Sequence, residues 1–281
     1  MLLDSAQQEG ANLWLERRGV PYLSLFEGHT EESLVEIAPL LVPLYNLEPP
    51  VLEKVCQWAT GLGHECPCLS WFASDTQAAQ LAAHLRNFHH VGLSDNQQML
   101  MRWYDTRVLP VWIACLDSTQ LLAFSGSLYA IKFMNRFGVA TSLLEVETPS
   151  VVPKGWAFGD PLIQLDDAQF SMLLAASDLD TLVTHIKKVI PDETRKVLDR
   201  DLFEFVGRFQ QIALQAGVDD IDQQTQFILL ALYTNGQGAT HQLTLELMKD
   251  PPRKLDDFHA ALDDLPDEVW ESGPPIWDLD R

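Results

Sequence analysis

Four soft or borderline donor side chains, Cys56, His64, Cys66 and Cys68, fall within thirteen residues of one another. Thiolate and imidazole are ligands that zinc accepts, but structural zinc sites usually draw on two spaced pairs of the Cys-x-x-Cys kind. Here Cys66-Pro67-Cys68 is a tighter pair leading into an apolar stretch, and free cysteine is itself a common core residue. Core packing is therefore expected of these four, and neither a metal nor a cofactor is expected. His84, His89 and His90 lie on or just beyond one helix, where surface or capping roles are expected.

The second chemical cluster is Arg102-Trp103-Tyr104-Asp105-Thr106-Arg107, with His84-Leu85-Arg86 upstream. Residues 98–105 alternate as a strand would, which puts Arg102 on a strand expected to be central. A buried guanidinium there needs a carboxylate or several carbonyls. Asp105, at the strand-to-helix junction, can cap the helix and pair with an arginine at once. The cluster reads either as an anion pocket or as a polar network fixing strand, helix and turn. The network (His84, Arg86, Arg102, Tyr104, Asp105 and Arg107) is favoured because no nucleophile or acid–base partner stands beside it. Ser125-Gly126-Ser127 has the wrong order for a nucleophile elbow. Gly236-x-Gly238 lacks the strand and third glycine of a nucleotide loop. No catalytic residue is assigned, and the chain is not expected to be an enzyme.

The elements that position these residues follow from periodicity. Residues 21–28, 40–44 and 68–72 read as short strands, the first ending at Gly28. Ala78, Leu81, Ala82, Leu85 and Phe88 share one helical face, with Ser74 and Gln77 as its expected capping box. A second helix is expected from Asp105 through Leu116, with Pro110 near its first turn. Beyond a segment of three prolines and two glycines at 149–161, the pattern turns helical. One stripe runs from Phe170 to Ile186, and Pro191 stops it. The next helix is expected from Pro191 through Ile212, then Ile221–Tyr233 and two shorter helices near 243–248 and 255–262. The fold class is α+β: a mixed α/β lobe with a central sheet, followed by an all-helical lobe. The expected organisation is an α/β domain at 1–148, a linker at 149–165, a helical lobe at 166–263 and an acidic tail at 264–281. Trp270 and Trp277, set among carboxylates, belong either to a frayed terminus or to a segment that docks on a partner.

Composition bounds the partners. The 281 residues include 40 acidic and 19 basic ones, a net charge of −21. Affinity for nucleic acid and anionic lipid comes largely from Lys and Arg, so neither is an expected partner. No apolar run approaches the roughly 18 residues of a membrane span, the start has no signal-peptide pattern, and a cytoplasmic location is expected.

The motifs together resemble one family, the adaptor or chaperone domain of type VI secretion effectors (Tap and VasW-like proteins). Its hallmark is a His-Leu-Arg-x-Phe helix followed by Arg-aromatic-aromatic-Asp-x-Arg. These stand here as His84-Leu85-Arg86-Asn87-Phe88 and Arg102-Trp103-Tyr104-Asp105-Thr106-Arg107. Leu2-Leu3-Asp4-Ser5-Ala6, Leu25-Phe26-Glu27-Gly28 and Ala38-Pro39-Leu40-Leu41-Val42 match the family's earlier strand and turn motifs in order. One departure is that only Met1 precedes Leu2, where the family's first strand has several residues. The resemblance implies a non-enzymatic chaperone that binds a cognate toxin near its N-terminal loading region. Such a protein helps mount the toxin on the VgrG spike or its PAAR tip. Trp270 and Trp277 are the candidate partner-binding residues. The alternatives are an immunity-type or regulatory toxin binder and, further off, a metal-dependent hydrolase.

Overall fold

The computed structural model describes residues 1–146 and 163–278. The chain divides into two compact units, Met1–Leu174 and Ala175–Arg281. The first holds all the described strands and the second is helical, the α+β arrangement expected from the sequence. The proline-rich segment falls among residues 147–162, outside the described residues.

In the first unit, β1 (Leu2–Asp4), β2 (Leu23–Ser24), β3 (Pro39–Leu41) and β4 (Leu69–Ala73) precede β5 (His90–Gly92) and β6 (Gln98–Leu100). They are followed by β7 (Ala130–Met134), β8 (Ala140–Glu145) and β9 (Ile163–Gln164). Six strands form one sheet in the order β2-β3-β1-β4-β7-β8, with every pairing antiparallel. Leu2 pairs with Leu41 on one side and Ser70 on the other. The first strand is therefore interior rather than the edge its brevity suggests, which explains why all three of its residues are buried. A second sheet, ordered β6-β5-β9, supplies the one parallel pairing among the described residues, between β5 and β9.

Five helices pack on these strands: α1 (Ala11–Glu16), α2 (Pro49–Glu65), α3 (Ala78–Arg86), α4 (Leu109–Cys115) and α5 (Ser118–Ser125). Pro49 and Pro50 open α2, where a missing N–H costs nothing. The expected capping box at Ser74 and Gln77 does not form. Ser74 Oγ donates to the Ser127 carbonyl at 2.6 Å, and α3 begins after Gln77 with no side-chain cap. A real capping box stands at Asp117 and Gln120, at the start of α5. The helix expected to run from Asp105 through Leu116 is shorter, because residues 105–108 form turns before α4. In the β7–β8 turn Gly138 adopts φ +69°, and a side chain there would meet the His64 carbonyl at 2.9 Å. Only glycine fits that turn without moving α2.

Helix α6 (Asp167–Val189) starts within the first unit and continues into the second. The second unit adds α7 (Pro191–Thr194), α8 (Asp199–Gln215) and α9 (Ile221–Tyr233). It closes with α10 (Gln242–Leu247), α11 (Leu255–Asp263) and α12 (Asp267–Trp270). The single helix expected after Pro191 is thus two. Asp199 and Asp201 favour a fresh N-terminus at α8, where their charge complements the free amides. Its inward face carries Leu202, Phe205, Val206, Phe209 and Ala213 against Phe227, Ile228 and Leu230 of α9. Asp220 caps α9 by accepting from the Asp222 and Gln223 amides, both at 3.0 Å. The acidic segment after residue 263 is not frayed through its described part: Val269 and Ile276 are buried in the helical core.

Candidate functional site

The chain reaches the arginine motif by leaving β6 at Leu100. Successive turns follow, with the Asp105 amide donating to the Arg102 carbonyl at 3.0 Å and the Val108 amide to the Asp105 carbonyl at 2.9 Å. Arg102 therefore lies beyond a strand at the border of the small sheet, not on a central strand. The turns also explain why neighbouring Trp103 and Tyr104 are both fully buried, which an alternating strand with one inward face would not allow.

Arg102 Nη2 donates to Asp4 Oδ2 at 2.9 Å and lies 3.8 Å from Asp105 Oδ2. Arg107 grips Asp105 with two side-chain nitrogens, at 3.0 and 2.6 Å, while its amide donates to Oδ1 at 3.0 Å. With its amide oxygen turned inward, Gln7 accepts from Arg107 at 3.1 Å and Arg102 at 3.2 Å. Asp105 is thus a turn anchor, and its side chain does not cap α4, which starts after Val108. The Asp4 carboxylate is fully buried while the Arg102 side chain is 39% exposed. Burial, and secondarily the Asp105 charge, push the Asp4 pKa up to about 6 against the pull of Arg102 and the Ala6 amide. Two guanidiniums matched by two carboxylates hold an internally neutral staple, not an unmet positive pocket.

The remaining motif residues are placed elsewhere. His84, on α3, hydrogen-bonds through Nε2 to the Phe124 carbonyl of α5 at 2.9 Å. Burial lowers its pKa, so it serves as a neutral donor. Arg86 donates twice to the Ser24 carbonyl, at 3.2 and 2.8 Å, and pairs with Glu27. Tyr104 meets Phe26 and Trp103 edge-on and His89 in a tilted contact. His89 has neither ring nitrogen hydrogen-bonded, and burial holds its pKa down to about 3. The six motif residues are therefore not one network: Arg102, Asp105 and Arg107 tie β1 to the arginine turns, His84 ties α3 to α5, Arg86 ties α3 to the end of β2, and Tyr104 packs in the aromatic cluster.

The cysteines and His64 do not converge: no three of them bring donor atoms within 4.8 Å among the described residues. His64 Nδ1 contacts the Gly138 carbonyl at 2.8 Å, and Cys66 donates to the Leu62 carbonyl at 3.4 Å. A hydrogen bond to Cys66 and burial both hold the Cys68 thiol up, leaving it inert. In the helical unit, Trp270 and Trp277 pack half-buried on the core, and Trp277 meets Tyr233 edge-on at 4.9 Å.

A cavity invisible to motif reading opens beside the large sheet. It measures about 310 Å³ and is walled by Val42, Leu44, Tyr45, Trp71, Phe72 and Leu81. Pro43 turns the chain out of β3 so that Tyr45 stands 70% exposed at the rim, its hydroxyl accepting from the Ala78 amide at 3.4 Å. No spacing rule joins residues 42–45, 71–72 and 81, which meet only in the folded unit, where the end of β3, β4 and α3 come together. Grooves with apolar walls and few polar groups are what proteins use to hold apolar side chains.

Fold and site define an α+β scaffold whose sequence motif ties elements together and whose sheet carries an open apolar groove. Residues 1–123 match the family model described as Domain of unknown function (DUF4123). No curated protein matches the chain. No solved structure matches it. Among the described residues no helix is long and apolar enough to cross a membrane.

Proposed function

We propose that this chain is a non-enzymatic, cytoplasmic chaperone or adaptor of the Tap and VasW-like kind. It binds a cognate type VI secretion effector, through that toxin's N-terminal loading region, and helps seat it on the VgrG spike or PAAR tip. The observation that carries the reading is the domain match over residues 1–123, which spans both hallmark motifs. The geometry is compatible: the motif arginines are occupied in ties, and the groove at Tyr45 and Trp71 suits an apolar segment that would otherwise aggregate. The net charge of −21 adds affinity for a basic flank on that segment.

The test is co-purification of the tagged protein with the product of the adjacent gene, sized by light scattering. A discrete complex, with the partner insoluble when made alone, is expected. If the chain stays alone while its neighbour is soluble and secreted without it, the carrier reading fails for that pair. Death of the producing cell on gene deletion, with secretion intact, would instead indicate an immunity role.

A further inference from the structure

We propose that His29, Glu31 and His90 form a binding site for a divalent cation of the zinc class. Their donor atoms all lie within 4.8 Å of one another. His90 Nε2 stands 3.6 Å from Glu31 Oε1, and the His29 and His90 rings are 5.3 Å apart between centroids. Donors bonded to tetrahedral zinc at about 2.1 Å sit roughly 3.4 Å from one another, so small side-chain rotations close the set.

The backbone holds these side chains in place. Gly28, at φ +80°, turns the chain after Phe26, and the His29 amide donates to the Phe26 carbonyl at 3.0 Å. The Leu34 amide donates to the Glu31 carbonyl at 2.8 Å. His90 opens β5 and is registered opposite Leu100. A second observation points to a ligand: Glu31 Oε2 is sealed from solvent with no hydrogen-bond partner. The Glu31 side chain is 20% exposed overall, and this oxygen is left open to a cation. The nearby Arg86 guanidinium is already paired with Glu27, which limits its repulsion of a metal.

Two imidazoles and one carboxylate suit zinc, cobalt, nickel or copper better than calcium or magnesium, which take oxygen ligands. Three protein ligands leave a fourth position for water or for a side chain from a partner. The site would pin the turn at residues 28–31 to the head of β5. It is independent of the chaperone reading.

The experiment uses tag-free full-length protein, stripped with chelator and titrated with Zn²⁺ by calorimetry and with Co²⁺ by visible absorption. One equivalent is expected to bind with a dissociation constant on the order of 10 µM or tighter. Melting temperature should rise on zinc addition. His29→Ala, His90→Ala and Glu31→Gln should each weaken binding by about 100-fold or more and abolish that rise, with far-ultraviolet dichroism confirming that they fold. The Cys66→Ser/Cys68→Ser variant should bind like wild type, and the cobalt spectrum should lack a sulfur charge-transfer band. Absence of saturable binding, persistence of binding in the His29→Ala/His90→Ala variant, or its loss in the cysteine variant would overturn the assignment.

Discussion

Arg102 donates to the Asp4 carboxylate at 2.9 Å across 98 residues of sequence. The contact ties β1, in the interior of the large sheet, to turns that leave the small one. Its two ends differ in environment, the carboxylate fully buried and the guanidinium reaching solvent. Burial outweighs the ion pair, so Asp4 takes up protons more readily in the folded chain than in the unfolded one.

Asp4 therefore contributes most below its unfolded pKa of 3.8, and that contribution is lost as pH rises through about 6. Asp4→Asn, which cannot ionise, should gain on wild type by about 3 kcal/mol between pH 4 and pH 7, at roughly 1.4 kcal/mol per pKa unit. Urea denaturation of both proteins across this range checks it. A constant difference would mean that Asp4 titrates normally.

Arg102→Ala should cost about 1–3 kcal/mol at pH 7.5, because it leaves a buried carboxylate less compensated. The cost should shrink at pH 5, where Asp4 can be protonated. Equal losses at both pH values would show that the arginine acts by packing alone.

Trp103 is fully buried, and its indole N–H has no hydrogen-bond partner. Trp103→Ala should destabilise the first unit by about 3–5 kcal/mol. Trp103→Phe should cost much less, since it keeps an edge-on ring and removes an unmet donor. Thermal unfolding of the pair separates volume from hydrogen bonding.

At the rim of the groove, Tyr45→Ala should leave stability within about 0.5 kcal/mol of wild type, as exposed sites usually do. Affinity for the co-purifying effector should fall at least about tenfold, or 1.4 kcal/mol. Unchanged affinity, measured by calorimetry, would move the effector contact off this groove.

Ile276→Ala should lower the stability of the helical unit by about 2–4 kcal/mol, since the side chain is 5% exposed within that core. A silent substitution would show the acidic segment to be a passive terminus in solution.

What could be read from sequence was set by local periodicity. Helix α9 has the expected bounds, because its cap Asp220 and its stop at Asn235-Gly236 both lie in the chain beside it. Strands β3 and β4 were legible as short apolar runs ending in a proline or polar turn. The strand expected through Asp105 was not, because Met101, Trp103 and Tyr104 are buried by an aromatic cluster assembled from distant segments. The capping box expected at Ser74 was lost to a tertiary contact, since the Ser127 carbonyl captured the serine hydroxyl. The groove and the His29–Glu31–His90 group escaped for the same reason: their members come from separate segments that meet only in the folded unit.

Strand β4 is paired on one side by β1 and on the other by β7, which begins at Ala130. The family match ends at residue 123, within α5 and before that second neighbour. A fragment cut at the match boundary would leave the edge of Leu69–Ala73 bare, a template for aggregation with other copies. The segment that the family match covers and the compact unit are therefore different lengths of chain. Expression of the first unit should extend to Leu174, where its contacts close.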